Sequence, residues 1–492
     1  MLRKIRITLA TICVLLITWR FVDFTGTAQP IAGWLTDIQF MPAVLALNAW
    51  VVVALVLLTL ILGRIYCSVI CPLGILQDLL ARLRPRKNKK VGRYSYSPEM
   101  RWLRYPVLVL FIVALVAGVG SFVALLEPYS AFGRMATNFL EPLYAWGNNV
   151  LASIAEHYDS YAFYHEEVWM RSLPTFLIAV GSLLILAVLA WVGGRTYCNT
   201  ICPVGTLLSF FSRFSFLKIR FDEEKCRHCS ACTKSCKASC IDFENHKVDY
   251  SRCVVCGDCI ESCKFGALKW TPSPSPHKGE DGHLQERRAF LLGLGLAGTT
   301  AAIAQVKTKM DGGLAEIEDK VAPERKTPLT PPGSLSARHF QQYCTGCQLC
   351  VAQCPNQVLR PSTGLLTLMQ PTMSYERGYC RPECTRCIDV CPTDAIRPIK
   401  AEEKSSIQIG HAVWVKKNCV VITDGVECGH CARMCPVGAI TMVNLDPEDE
   451  LSPKVPAVNE SRCIGCGACE NLCPARPFSA IYVEGHEAHK FV

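Results

Sequence analysis

A multi-domain chain is what this sequence predicts: an α-helical membrane part first, then small α+β domains organised around cysteines. Three observations carry that expectation. Long apolar stretches fill roughly the first 200 of 492 residues, and half of all residues are hydrophobic. Of the 30 cysteines, all but Cys13 and Cys240 fall into regularly spaced groups. Pro-rich segments separate those groups into two blocks. Small disulfide scaffolds are short secreted chains, and this chain is neither short nor spaced like one. The net charge of +9 does not indicate a nucleic-acid partner, because much of it flanks apolar segments, where it reads as membrane topology.

The apolar stretches run roughly Ile7–Trp19, Phe40–Leu62, Tyr105–Leu126 and Leu173–Val192. A spanning helix needs about 20 apolar residues. The last three satisfy this. The first is short and calls for Arg20 to snorkel at its end. Four membrane helices are therefore expected, with buried helices of a soluble core as the alternative. The segment from Gly63 to Arg104 is strongly basic, whereas Glu127 to Ser172 holds only Arg134 and Arg171 against six acids. Basic loops stay in the cytoplasm, so the N-terminus and the 63–104 loop are expected inside and the 127–172 loop outside. A repeat accompanies the helices: Gly63-Arg64-Ile65-Tyr66-Cys67-Ser68-Val69-Ile70-Cys71-Pro72-Leu73-Gly74 recurs as Gly194-Arg195-Thr196-Tyr197-Cys198-Asn199-Thr200-Ile201-Cys202-Pro203-Val204-Gly205. The chain thus divides into a membrane domain (1–215), a two-cluster cytoplasmic block (216–270), a linker (271–285), a twin-arginine-like segment (286–306), a second linker (307–333) and a four-cluster block (334–492).

Six cysteine groups follow or nearly follow C-x2-C-x2-C-x3-C. Thiolates are soft ligands, and four of them from short loops suit iron–sulfur clusters. In the first block the groups are Cys226/Cys229/Cys232/Cys236 and Cys253/Cys256/Cys259/Cys263. The fourth cysteine of each run serves the other cluster in two-cluster ferredoxins, which assigns Cys226, Cys229, Cys232 and Cys263 to one and Cys253, Cys256, Cys259 and Cys236 to the other. Lys237 and Lys264 follow the fourth cysteines where proline is usual. A cation there favours the reduced cluster, unless it is merely solvated. The second block carries Cys344/Cys347/Cys350/Cys354, Cys380/Cys384/Cys387/Cys391, Cys419/Cys428/Cys431/Cys435 and Cys463/Cys466/Cys469/Cys473. Matched spacings hint that its first run pairs with the fourth and the second with the third; sequential pairing is the alternative, and both stay open. Six [4Fe-4S] clusters in ferredoxin-like α+β domains are expected.

The repeated motifs add Cys67, Cys71, Cys198 and Cys202, each pair at i and i+4 and hence on one helix face. Should the repeats meet, four thiols converge to hold a metal or cluster, form a disulfide or act as redox thiols; the plainer reading is a buried turn with small apolar cysteines. Arg287-Arg288-Ala289-Phe290-Leu291 resembles a twin-arginine export signal ahead of a short apolar run to Ala304. A crossing there places the last block in the periplasm, and Ala302-Ile303-Ala304 resembles a cleavage site; an interfacial helix that leaves everything cytoplasmic is the alternative.

Two G-R-x-Y-C-x3-C-P-x-G motifs after apolar helices, followed by two ferredoxin runs, resemble the NapH type of membrane ferredoxin. A twin-arginine segment followed by four cluster runs resembles the exported NapG type. The chain is therefore similar over nearly its whole length to a NapH–NapG fusion. The membrane motif also resembles that of the NosR regulators, the CcoG assembly proteins and the MauN/MauM pair. What the resemblance implies is quinol dehydrogenation: electrons from the membrane quinone pool passed to a periplasmic redox partner, a cytochrome c or a reductase such as nitrate reductase. An electron-donating maturation factor for a periplasmic enzyme is the second implication, and a redox-sensing membrane regulator the third. Quinol oxidation needs proton acceptors, for which His157, His165, Glu166 and Glu167 in the outer loop and Arg64, Tyr66, Arg195 and Tyr197 in the motifs are candidates, against solvated-loop and topology-anchor readings. No C-x-x-C-H haem motif is present.

Overall fold

The computed structural model describes residues 2–83, 94–272, 309–310, 316–317 and 319–491. The twin-arginine-like segment, its cleavage motif and Arg84 to Arg93 of the basic loop lie outside the described residues.

Helices build the first part: α1 (Leu2–Val22), α2 (Ala28–Asp37), α3 (Phe40–Leu45), α4 (Ala49–Leu62), α5 (Tyr66–Val69), α6 (Pro72–Leu83), α7 (Arg101–Ala117), α8 (Gly120–Leu126), α9 (Pro128–Met135), α10 (Glu141–His157), α11 (Leu173–Gly193), α12 (Thr196–Thr200) and α13 (Pro203–Ser212). Among the described residues, α1 and α11 are long and apolar enough to cross a membrane; α4 and α13 are shorter apolar helices. The expected set of four uninterrupted spans is not what forms. The stretch Phe40–Leu62 breaks where Leu47 takes a left-handed φ of 54° and Asn48 caps α4, its Oδ1 accepting from Val51 N at 3.4 Å. The stretch Tyr105–Leu126 breaks at Gly118, whose φ of 74° ends α7. The first apolar helix, by contrast, is longer than expected, because Leu2 to Arg6 and Arg20 to Val22 join it. Arg20 does not snorkel: it is 1% exposed, packed in the helix assembly.

The first cysteine block closes on an antiparallel pair, Leu217–Phe221 with Leu268–Pro272, beside a short hairpin of Ile241–Asp242 and Lys247–Val248. Thr271 and Pro272 thus belong to a strand rather than to the expected linker. The second block holds three antiparallel pairs, the longest joining Ile407–Trp414 to Ile481–Phe491. Ala322–Gly333, expected as a linker, packs instead on this block. Arg325 Nη2 pairs with Glu470 Oε1 at 2.5 Å, Arg325 Nε donates to Val483 O at 2.8 Å, and Leu329 is fully buried. Proline-rich chain is already extended, so little entropy is lost in laying it along a strand.

The two blocks meet opposite ends of α1. Near its start, Arg3 Nε pairs with Asp258 at 2.9 Å and its guanidinium also reaches Glu261, both in the first block. Beyond its end, Gln353 of the second block donates to the carbonyls of Arg20 and Asp23, and Arg386 donates to those of Phe24 (2.7 Å) and Thr25 (2.9 Å). The loop after α10 also joins the second block. Trp169 lies under Arg360 and Arg377, with cation-to-ring distances of 4.6 and 4.4 Å, and Arg377 pairs with Glu167 at 2.9 Å.

Candidate cluster sites and the four-thiol site between the blocks

Short loops carry the first three thiols of each run, and a one-turn helix turns the third toward the same point. Left-handed residues such as Ser230, Gly257, Gln348 and Gly467 immediately precede these turns. Four cavities are each lined by four cysteines. One collects Cys226, Cys229, Cys232 and Cys263. A second collects Cys344, Cys347, Cys350 and Cys391. The third has Cys354, Cys380, Cys384 and Cys387, and the fourth Cys419, Cys428, Cys431 and Cys473. Their volumes are similar, about 350, 320, 360 and 320 Å³ respectively. The remaining cysteines make two further groups. Cys259 lies near Cys256, Cys236 and Cys253, while Cys463 and Cys466 both lie near Cys435 and Cys469 near both of them.

The exchange of fourth cysteines expected in the first block is the arrangement found. In the second block, runs pair sequentially, first with second and third with fourth; the first-with-fourth hint is overturned. Spacing reports loop shape, not which loops become neighbours, so widened gaps in the inner runs said nothing about partners.

The donor chemistry fits [4Fe-4S] clusters: four thiols per set, no competing carboxylate among the cavity linings, and largely buried. Around Cys347, Thr345 Oγ1, Gln348 Nε2 and Tyr129 Oη are buried without a hydrogen-bond partner among the described residues, and cluster sulfurs accept hydrogen bonds from donors of this kind. Burial pushes the thiols of Cys256, Cys347 and Cys466 up to about 12 and that of Cys431 up to about 11. As free side chains they are protonated near neutrality, so ligation releases their protons.

The four sets of the second block lie in a row. Cys350 feels Cys387, joining the Cys344 set to the Cys380 set. Cys380 N donates to Cys466 O at 2.9 Å, joining the Cys380 set to the Cys463 set. Cys469 feels Cys431, joining the Cys463 set to the Cys419 set. The chain order of the runs is therefore not their spatial order: the fourth run precedes the third.

Cys67, Cys71, Cys198 and Cys202 do converge. All are buried, and each lies within electrostatic reach of the others. The repeats brace each other reciprocally. Arg195 Nη1 donates to Cys67 O at 2.6 Å, and Arg64 Nη2 donates to Cys198 O at 3.1 Å. A Cβ at Gly74 would run into the Cys67 carbonyl and one at Gly205 into that of Cys198, which is why each motif ends in glycine.

Arg64 and Arg195 are thus interior braces rather than loop anchors or headgroup ligands. Tyr66 OH donates to Gln39 Oε1 at 3.0 Å, and Tyr197 OH to Leu126 O at 3.0 Å. In the outer loop His157 and His165 are exposed, His165 facing Glu156 at 3.5 Å, while Glu166 is tied to Asn149 through its backbone and Glu167 pairs with Arg377. None of these four approaches the thiols.

Asp78, on α6, was not singled out from sequence. It receives Arg195 Nε at 2.7 Å, Lys237 Nζ at 2.6 Å and Arg6 Nη1 at 3.0 Å, all buried. A carboxylate ahead of the run of bases that follows the first motif was the available signal. Lys237, paired also with Asp258 at 3.3 Å, is buried in ion pairs rather than solvated; Lys264 is exposed. Arg195 N donates to Lys237 O at 2.8 Å, Asn199 Nδ2 to Ala238 O at 3.2 Å and Arg64 Nη1 to Ser251 O at 2.9 Å. The first block is thus locked against the four-thiol site. On the other side, Gly133 of α9 is pressed on the Cys347 carbonyl.

Family models agree with this geometry. A 4Fe-4S binding domain model matches residues 44–90 and 175–221, the two motif repeats, and another matches 246–269. Models of 4Fe-4S dicluster domains match 343–396 and 426–476, consistent with sequential pairing. Among curated proteins, the methylamine utilization ferredoxin-type protein MauM of Methylobacillus flagellatus is 31% identical over 166 residues, 33% of this chain and 70% of the relative. MauM of Methylorubrum extorquens is 32% identical, covering 32% of this chain and 73% of the relative. The ferredoxin-type protein NapF of Escherichia coli is 28% identical over 32% of this chain and 87% of its own length. No solved structure matches.

Proposed function

The chain belongs to the family of MauM ferredoxin-type proteins, and from that premise we propose that this iron–sulfur electron-transfer protein is a membrane quinol dehydrogenase module feeding a periplasmic redox partner. In this reading all six cysteine sets hold [4Fe-4S] clusters, which supply one-electron transfer. The observation that carries it is the placement of the two blocks at opposite ends of α1 with the four-thiol site between them. A helix of 21 residues is about 31 Å long, the thickness of a hydrocarbon core. The first block then faces the cytoplasm and the second the periplasm, and Cys67, Cys71, Cys198 and Cys202 bridge the gap as a further redox centre. Arg64 and Arg195 hold that centre in register. Asp78 keeps the first block seated against it. The Cys419 set, last in the row, hands electrons to the acceptor, with nitrate reductase or a cytochrome c as the partner class. The alternative is an electron-donating maturation factor; it is favoured by the relatives' own name, which ties MauM to methylamine utilization.

The test is anaerobic reduction of the purified full chain in detergent by a reduced menaquinone analogue, followed by EPR. Reduced-cluster signals growing to several spins per chain are expected. Full reduction by dithionite with none by quinol sinks the quinol reading and leaves the maturation role.

A further inference from the structure

Cys240 was left over by the spacing rules, and the structure gives it a place. Its thiol is 1% exposed, and its Sγ lies 3.5 Å from Sγ of Cys236, the fourth cysteine of the first run. It also reaches Cys253 of the same set. The Cys236/Cys253/Cys256/Cys259 set therefore has five thiols around one site, where every other set of this kind has four. The difference is visible along the chain. Four residues after the fourth cysteine, the other runs carry Ala267, Val358, Ala395, Ala439 and Pro477. In two of them the amide of that residue donates to the cysteine sulfur, Ala267 N to Cys263 at 3.3 Å and Ala439 N to Cys435 at 3.2 Å. That position points a side chain back over the fourth ligand, and only here is the side chain a thiol.

Two thiolates on one tetrahedral metal with bonds of about 2.3 Å sit about 3.8 Å apart, whereas thiolates on different irons of a cubane are held farther apart. Sulfurs in contact at this distance can address only the same iron. We propose that Cys240 is a reserve ligand for the cluster of Cys253, Cys256, Cys259 and Cys236, able to replace Cys236 on their common iron. In the exchange one Fe–Sγ bond forms to Cys240 and one breaks to Cys236. The Cys240 thiol proton passes to the departing Cys236 sulfur, and no electron moves. The location gives the exchange a use. Lys237 and Ala238, which follow Cys236, are the residues hydrogen-bonded to Arg195 and Asn199 beside the four-thiol site. Cys236 is thereby tied to that site, and a second thiol keeps the iron bound when Cys236 departs.

The inference rests on cluster binding alone and not on quinol chemistry, so its readout is metal content. Full-length Cys236→Ala, Cys240→Ala, the double variant and Cys263→Ala are purified anaerobically, and iron, acid-labile sulfide and EPR are compared with the unaltered chain. Cys236→Ala is expected to keep full iron and sulfide, and Cys240→Ala to keep them too. The double variant, and Cys263→Ala with only Ala267 behind it, are each expected to lose one cluster. Equal iron loss in Cys236→Ala and the double variant overturns the proposal, as does full iron in both. If Cys236→Ala fails to accumulate, Cys236→Ser and Cys236→Ser/Cys240→Ala are read in the same way: iron present in the first and lost in the second supports Cys240, and equal iron overturns it.

Discussion

Lys320 places a single charge between two cysteine sets. Its ammonium donates to the carbonyls of Glu470 (2.7 Å), Asn471 (2.7 Å) and Cys473 (3.1 Å), between the Cys463 and Cys419 sets. Burial, with Arg476 nearby, pushes it down to about 8, so it is still mostly charged at neutrality. A unit charge about 10 Å from a cluster, at an effective dielectric of about 20, is worth on the order of 50 mV. Lys320→Met is therefore expected to lower the midpoints of the last two clusters by that order, read by EPR-monitored titration. His489 is one contributor to the pH dependence of the same block. Burial, then His486, lowers it from 6.5 to about 4. Between those pH values the unfolded chain takes up the proton and the folded strand does not, so stability is lost as pH falls through 6.5 toward 4, by up to about 3 kcal/mol. Thermal unfolding across that range should be flatter in His489→Gln. The ligand thiols themselves were legible from spacing. Asp78 and the bracing role of Arg64 and Arg195 were not, because their partners lie 72 to 159 residues away.

At the scale of elements, each G-R-x-Y-C-x3-C-P-x-G motif is a turn, a short helix and a second helix folded back on it. Gly74 and Gly205 let α6 and α13 pass against the Cys67 and Cys198 carbonyls. Gly74→Ala or Gly205→Ala forces backbone apart in a packed interior, at a cost of about 2–3 kcal/mol. The expected result is faster alkylation of the four motif cysteines in detergent and lower yield of folded protein. The breaks at Leu47 and Gly118 carried sequence signals, Asn48 as a cap and Gly118 as a terminator, but continuous apolar runs masked them. A helix that is apolar all round has no polar face to mark where its period fails.

At the scale of the molecule, the reading of opposite sides makes a direct prediction. A protease site placed in the exposed turn at Leu451 should be cut from outside in spheroplasts, and one placed at Glu244–His246 should be cut only after lysis. Cleavage of both from outside would put the two blocks on the same side and end the transmembrane reading.

By itself the sequence determined the cysteine runs, the class of cluster they suit, the duplication of the motif and the exchange of fourth cysteines in the first block. These are local: a cysteine three residues from the next has few places to go. The i, i+4 spacing of the motif cysteines does not place them on one helix face, because Cys71 and Cys202 lie in the breaks that follow α5 and α12. The tertiary structure alone decided which runs of the second block pair, the order in which their sites line up, and the meeting of the two motifs. It also decided that a Pro-rich stretch is packed and that Cys240 stands against Cys236. Each of these depends on which segments become neighbours after collapse. That choice is made by buried packing and by ion pairs such as Asp78 with Lys237 and Arg195, between residues no local pattern connects.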